Sequence, residues 1–126
     1  MDIPSNLRYS SDHEWALLEG TTVRVGITDY AQDALGDVVF VDLPAVGAEV
    51  SVGGALGEVE STKSVSEIYA PVAGTVVAVN QGAADAPESL NADPYGNGWL
   101  VQIELADPAT FEALLDADAY KALTES

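Results

Sequence analysis

Residues 55–79 of the chain read ALGEVESTKSVSEIYAPVAGTVVAV. Two short apolar stretches at 55–60 and 75–79, typical of strands, enclose a polar run that contains Lys63. The polar run has too few apolar side chains to fill a core. We therefore predict a hairpin in which the first stretch leads in, the second leads out, and Lys63 lies near the exposed tip.

Further strand signals lie on both sides of this hairpin. Residues 22–27 alternate apolar and other side chains, residues 37–43 form a β-branched run that stops at Pro44, and residues 99–105 place their apolar side chains on one face. Glycine and proline interrupt the chain between these segments. Short strands at this spacing predict a mainly β sandwich or barrel.

Helix signals are few and short. Thr28 can cap a helix that ends at Gly36, and Asp107 followed by proline can open a second helix. A third short helix is expected to begin at Asp116 or Asp118 and to run through Lys121. The helices should lie at the periphery of the β structure.

Length and composition limit the class of protein. The chain has 126 residues, of which 48% are hydrophobic, so we expect a single domain over residues 1–126. Its 21 acidic and 4 basic residues give a net charge of -17, which disfavours nucleic acid and anionic membranes as partners. The acids can serve two purposes together, since they keep the protein soluble and can also steer it toward basic partner surfaces.

No targeting or membrane-spanning pattern is recognisable in the sequence. The first residues are acidic and polar, and no apolar stretch reaches the roughly 20 residues of a membrane helix. We expect a cytoplasmic protein if the source is bacterial. A mitochondrial matrix protein would read the same way if a transit peptide had been removed.

The residue types exclude several kinds of site. The chain has no cysteine, so thiol catalysis, disulfides and thiolate-bound metals are ruled out. Its one histidine, His13, leaves no multi-histidine metal site, and we expect it to pack near Trp15 without a catalytic role. We therefore predict no metal site in this chain.

Lys63 is the residue that most needs an explanation. The only other lysine, Lys121, is expected in the last turn of a helix, where a cation opposes the helix dipole. A single surface lysine is usually only a solvated charge. The small hydroxyl neighbours Ser61, Thr62 and Ser64 leave the amine of Lys63 unhindered, which makes modification by an enzyme a real alternative, although from these residues alone an ordinary surface lysine is still the commoner case.

Four ordered motifs resemble those of glycine cleavage H proteins. Residues 60–74 are similar to the lipoylation segment of that family, and residues 11–15 to its His-Glu-Trp signature. Residues 26–32 and 35–41 match the block between them, and residues 91–99 match the Asn-x-x-Pro-Tyr-x-x-Gly-Trp turn. The resemblance covers most of the chain.

The resemblance implies specific roles for four residues. Lys63 would carry lipoate in amide linkage as N6-lipoyllysine. Glu60, Gly74 and Gly47 match positions shared by lipoyl carriers, and they are candidates for recognition by the lipoyl-attaching enzyme. The implied fold is a lipoyl-domain-like β sandwich, or barrel-sandwich hybrid, with the lysine on a hairpin turn.

The implied function is that of a carrier and not of an enzyme. The lipoyl arm would take an aminomethyl group from a pyridoxal-phosphate glycine decarboxylase to a tetrahydrofolate-dependent aminomethyltransferase, and dihydrolipoyl dehydrogenase would then reoxidise it. The loaded arm should shelter in a cleft, with Glu14, Asp12 and Glu67 as candidate acceptors for its ammonium group. We expect a monomer.

Three alternatives stay open at this point. A lipoyl relay protein outside glycine cleavage would have the same motifs. A biotinyl carrier domain is weaker, because such domains place methionines beside their lysine and this chain has only Met1. An unmodified binding protein would leave Lys63 as an ordinary surface residue.

Overall fold

The computed structural model describes residues 2–125, which form nine strands and five short helices. The strands are β1 Arg8–Tyr9, β2 Glu14–Glu19, β3 Thr22–Ile27, β4 Val38–Asp42, β5 Glu49–Val50, β6 Ala55–Ser61, β7 Val65–Tyr69, β8 Gly74–Val79 and β9 Val101–Leu105. The helices are α1 Asp29–Leu35, α2 Gln81–Asp85, α3 Ser89–Ala92, α4 Pro108–Glu112 and α5 Ala117–Glu125. Within this range each helix is too short or too polar to cross a bilayer.

The strands form two antiparallel sheets. The larger sheet has the order β1-β2-β3-β9-β8-β5, and the smaller has the order β4-β6-β7. The predicted strands at 22–27, 37–43, 55–60, 75–79 and 99–105 are confirmed as β3, β4, β6, β8 and β9. The mainly β class with short helices is therefore confirmed, with two open sheets over residues 2–125.

The hairpin at Lys63 is confirmed, but its outgoing strand was predicted wrongly. β6 pairs with β7 (Val65–Tyr69), whereas β8 lies in the larger sheet between β9 and β5. In β7 only Ile68 is fully buried, because the strand lies at the edge of its sheet with one face toward solvent. Such a strand accommodates polar residues, which is why the pattern was mistaken for a loop.

The helix caps follow the sequence signals. The Thr28 hydroxyl accepts a hydrogen bond from the backbone N–H of Ala31 at 3.2 Å, and α1 ends at Gly36, whose φ of 79° suits glycine. The Asp107 side chain accepts from Ala109 N at 3.0 Å and opens α4. The C-terminal end of α1 matters because Gly36, the residue that follows it, lies beside Lys63.

The prediction that Lys121 occupies the last turn of a helix is wrong. It lies in the middle of α5, which extends to Glu125. Its Nζ is 4.0 Å from Glu125 Oε1 in an exposed pair spaced four residues apart. Such a pair stabilises a helix by only about 0.2–0.5 kcal/mol.

The core lies between the two sheets. It includes Val25 and Ile103 from the larger sheet and Val59 and Ile68 from the smaller one, all buried. A second, aromatic cluster forms around Tyr9, Trp15 and Tyr120. The second cluster packs α5 against β1 and β2, the strands on either side of residues 10–13.

A glycine in β8 has no room for a side chain. A Cβ at Gly74 would overlap the backbone carbonyl oxygen of Glu104 on β9, so the pairing of these two strands requires glycine there. Gly82 in α2 is different, because a Cβ there would meet only the Asn80 side chain, at 3.2 Å. The two positions therefore form a matched pair for substitution.

We predict that Gly74→Ala lowers the free energy of unfolding by about 1–3 kcal/mol, because the clash is with backbone that cannot rotate away. Gly82→Ala should be neutral or stabilising by up to about 1 kcal/mol, because alanine favours helix more than glycine does. Urea titration of both variants measures these differences. Equal stability of Gly74→Ala and the unaltered protein would refute the packing explanation.

Candidate functional site

Lys63 lies in the exposed turn between β6 and β7, and Ser61 organises that turn. The Ser61 hydroxyl oxygen accepts hydrogen bonds from the backbone N–H groups of Lys63 at 3.2 Å and Ser64 at 3.1 Å. The Ser61 N–H also donates to Ser64 O at 2.8 Å, and Thr62 N–H donates to Asp37 O at 3.1 Å. A serine that satisfies turn donors is a common way of fixing such a turn. The Lys63 side chain therefore extends from a well-braced backbone.

The side chain of Lys63 lies over the end of α1. A Cβ at Gly36 would be 3.3 Å from Lys63 Cε. Asn91 fixes the backbone on both sides of Asp37, because its Nδ2 donates to Gly36 O at 2.8 Å and its Oδ1 accepts from Val38 N at 2.9 Å. The same Nδ2 donates to Gln32 Oε1 at 3.0 Å. This role of Asn91 was missed from sequence, where it was only part of a turn motif.

A groove of about 280 Å³ runs beside the Lys63 turn. One wall comes from α1 and includes Tyr30, and the opposite wall comes from β7 and includes Val65. Asp12 and Glu67 supply its carboxylates, and His13, Ser64 and Ser66 add further polar surface. Two of the three candidate acceptors, Asp12 and Glu67, therefore lie on one groove next to the lysine.

Glu14, the third candidate, is placed differently. It is 1% exposed, its Oε1 accepts from Ser10 Oγ at 2.5 Å, and its Oε2 accepts from Tyr69 N at 3.3 Å. It lines a second cavity of about 260 Å³, which also includes Asp12. Burial away from water raises the pKa of Glu14 to about 7, against an ordinary value of 4.5. Its main visible role is to connect β2 with β7.

His13 does not pack near Trp15 as expected. Its ring stacks on Tyr30 with the centroids 4.5 Å apart, and its Nδ1 is 2.8 Å from the hydroxyl of Tyr120. Burial lowers the pKa of His13, which favours the neutral imidazole that shares this hydrogen bond. The Tyr120 hydroxyl is also 2.7 Å from Thr28 Oγ1. These contacts join α5 to the wall of the groove.

The three candidate recognition residues are not equivalent in space. Glu60 is exposed in β6, three residues from Lys63. Gly74 belongs to β8 in the other sheet, and Gly47 donates from its N–H to Val76 O of β8 at 2.7 Å. Gly47 has a φ of 97°, which by itself favours glycine. Only Glu60 shares a sheet with the Lys63 turn, and recognition by an enzyme stays a prediction for all three.

The burial of Glu14 makes stability depend on pH. Its folded pKa of about 7 lies above the unfolded value, so its contribution is fully present below about pH 4.5 and is lost as the pH rises through 7. Relative to the unaltered protein, we predict that Glu14→Gln retains roughly 2–3 kcal/mol more stability between pH 5 and pH 8. Denaturant titrations at both pH values measure this. The exposed control Glu58→Gln should keep the original pH dependence, and the same dependence in Glu14→Gln would contradict the assignment.

Comparison with known proteins places this geometry in a family. Residues 7–126 match the family model described as glycine cleavage H-protein. A glycine cleavage system H protein from Micrococcus luteus is 60% identical over 124 residues, covering 97% of both chains, and one from Mycobacterium avium is 58% identical over 130 residues, covering 98% of both. The crystal structure of a glycine cleavage system H protein from Mycobacterium marinum superposes with a TM-score of 0.90 at 45% identity, covering 98% of this chain and 100% of that one. The fold expected from the resemblance is thereby confirmed, and the chain belongs to the glycine cleavage H-protein family.

Proposed function

We propose that this chain is a lipoyl carrier of glycine cleavage and that its lipoate is joined by an amide bond to Lys63 Nζ. The observation that supports this most strongly is the setting of Lys63, on an exposed turn held by Ser61 and beside a groove of about 280 Å³. The other lysine, Lys121, lies on α5 next to Glu125. Lys63 is thus the lysine whose surroundings suit a swinging arm.

The residues around Lys63 fit a long arm with an apolar chain and a polar end. Tyr30 and Val65 offer apolar surface along the groove, and the carboxylates of Asp12 and Glu67 offer acceptors at its rim. The bound lipoyl group supplies a redox-active disulfide that accepts the aminomethyl group, chemistry that a chain without cysteine does not have. The groove would keep water from the loaded end between visits to partner enzymes.

The partners proposed are the enzymes of glycine cleavage. The chain would present its arm first to a pyridoxal-phosphate glycine decarboxylase, next to a tetrahydrofolate-dependent aminomethyltransferase, and last to dihydrolipoyl dehydrogenase. A separate lipoyl-attaching enzyme would act once on Lys63. Tethering replaces free diffusion of the cargo with an effective concentration in about the millimolar range. The chain itself would catalyse none of these steps, and we place it in the cytoplasm as a monomer.

The proposed acceptors differ in strength because they differ in exposure. A shielded charge-assisted hydrogen bond contributes about 1.5–3 kcal/mol, and an exposed ion pair about 0–1 kcal/mol. Asp12 and Glu67 are both exposed, so each should contribute no more than an exposed ion pair does, about 1 kcal/mol at most. Glu14 is buried and already accepts two hydrogen bonds, so a direct contact with the arm would require it to release one of them.

We predict that protein made in cells supplied with lipoate carries one lipoyl adduct, on the peptide that contains Lys63. Lys63→Arg should show no adduct and no glycine–bicarbonate exchange, while its melting temperature stays unchanged because residue 63 is exposed. Lys121→Arg is the matched control and should be fully modified. Intact-mass and peptide mass spectrometry measure all three. An adduct on Lys121, or unmodified protein under these conditions, would refute the assignment.

We also predict that Asp12→Asn and Glu67→Gln each speed the loss of the aminomethyl group from loaded protein. A lost interaction of about 1 kcal/mol corresponds to a rate increase of about fivefold. Release of formaldehyde and ammonia from isolated loaded protein measures the rate. Glu58→Gln, an exposed acid on the neighbouring strand, is the control and should not alter it. Unchanged rates in both groove variants would remove these carboxylates as acceptors.

A further inference from the structure

The outer face of the β4-β6-β7 sheet has two ordered rows of side chains. Phe40 is paired with Glu60, and Glu60 with Val65, so these three form the row nearest the Lys63 turn. The next outward-facing row is formed by Asp42, Glu58 and Glu67, which are paired in the same way. Neighbouring strands are about 4.8 Å apart, so each row spans about 10 Å.

The row nearest the turn exposes apolar surface. Phe40 is 51% exposed and Val65 is 56% exposed, on either side of Glu60. Val39, next to Phe40, is 54% exposed where a bulge interrupts the pairing of β4 with β6. Isolated exposed apolar residues are ordinary. Here three of them lie on the edge strands of the sheet that presents Lys63, and an exposed phenyl ring is a frequent anchor in protein interfaces.

The second row gives the same face a strong negative charge. Asp42, Glu58 and Glu67 are exposed, as is Glu60 in the first row. Within residues 2–125 the ion pairs are Arg24 with Glu19 and Lys121 with Glu125, so none of these four carboxylates is neutralised by the chain itself. A face with an aromatic anchor beside unpaired carboxylates is complementary to an apolar pocket bordered by lysine or arginine.

We propose that this outer face is the docking surface for the enzyme that acylates Lys63, a proposal that rests on the function proposed above. In that step Lys63 Nζ attacks the carboxyl carbon of a lipoyl adenylate, which forms from lipoate and ATP with release of pyrophosphate. The amide bond forms, the bond from the acyl carbon to the phosphate oxygen breaks, AMP leaves, and the amine proton passes to solvent.

The geometry of the step selects this partner over the others. The acyl carbon must come within bonding distance of Nζ, so the enzyme has to cover the turn and the sheet surface that adjoins it. The chemistry at the far end of the finished arm does not by itself require a partner to cover that surface. Phe40 is the anchor that enters an apolar pocket of the enzyme. Asp42 and Glu58 are the charges that meet the lysine or arginine residues bordering that pocket.

The test is the rate at which lipoate–protein ligase, with lipoate and ATP, modifies purified unmodified protein, followed by intact mass. Phe40→Ser should raise KM at least tenfold with an unchanged melting temperature. Leu18→Ser, another exposed apolar residue but on β2, should match the unaltered protein. The double variant Asp42→Asn with Glu58→Gln should lower kcat/KM severalfold at low salt and weaken its salt dependence. Glu112→Gln with Asp118→Asn, two exposed acids elsewhere, should do neither.

Three results would overturn the proposal, and a fourth reaches further. The first is normal lipoylation of Phe40→Ser, and the second is an unchanged salt dependence in the Asp42 and Glu58 double variant. The third is a loss in the rate of reaction of fully lipoylated Phe40→Ser with dihydrolipoyl dehydrogenase that equals the loss in the rate of its lipoylation. The face would then serve partners in general. Failure of the unaltered protein to be modified at Lys63 would instead refute the function itself, and the docking surface with it.

Discussion

The site depends on one hydroxyl group. Ser61 Oγ accepts hydrogen bonds from the N–H groups of Lys63 and Ser64. The backbone of the turn between β6 and β7 is therefore fixed, although the side chains of residues 62–64 face water. The contact between Thr62 N and Asp37 O joins this turn to the segment after α1, which Asn91 holds in turn. A lysine presented in this way can be reached by several enzymes without a change in the fold, because only its side chain and any arm attached to it need to move.

The charged residues around the turn divide into two groups by burial. Asp12 and Glu67 are exposed on the groove, where their side chains contact water. Glu14 is buried between β2 and β7, where desolvation raises its pKa and two hydrogen bonds hold its carboxylate. Asp12 and Glu14, close in sequence, therefore have different roles. Asp12 is exposed and available to a ligand, whereas Glu14 is buried and connects β2 of the larger sheet with β7 of the smaller one. The net charge of -17 describes the surface as a whole and does not separate these roles.

Local signals predicted much of this molecule from sequence, and long-range contacts account for what they missed. Alternating apolar residues located β3 and β9, and Thr28 with Gly36 located α1, because strand alternation and helix caps depend on neighbours in the chain. β7 was missed because an edge strand with a wet face is polar enough to resemble a loop. The bridging role of Asn91 and the position of Glu14 between β2 and β7 had no local signal, since Asn91 bonds to Gly36 and Glu14 to Tyr69, both distant in sequence. Lys63 became a specific candidate only through resemblance to a family, because spacing alone described an ordinary exposed lysine.

The function proposed for this chain requires the groove beside Lys63 to shelter the loaded arm. The most direct test compares amide chemical shifts of uniformly labelled lipoylated protein before and after loading with the aminomethyl group. We predict that the shifts change along both walls of the groove, at Asp12, Tyr30 and Val65, while the far strand β5 (Glu49–Val50) is unaffected. Changes confined to Lys63 and its two neighbours would show an arm that stays in solvent, and would contradict the account.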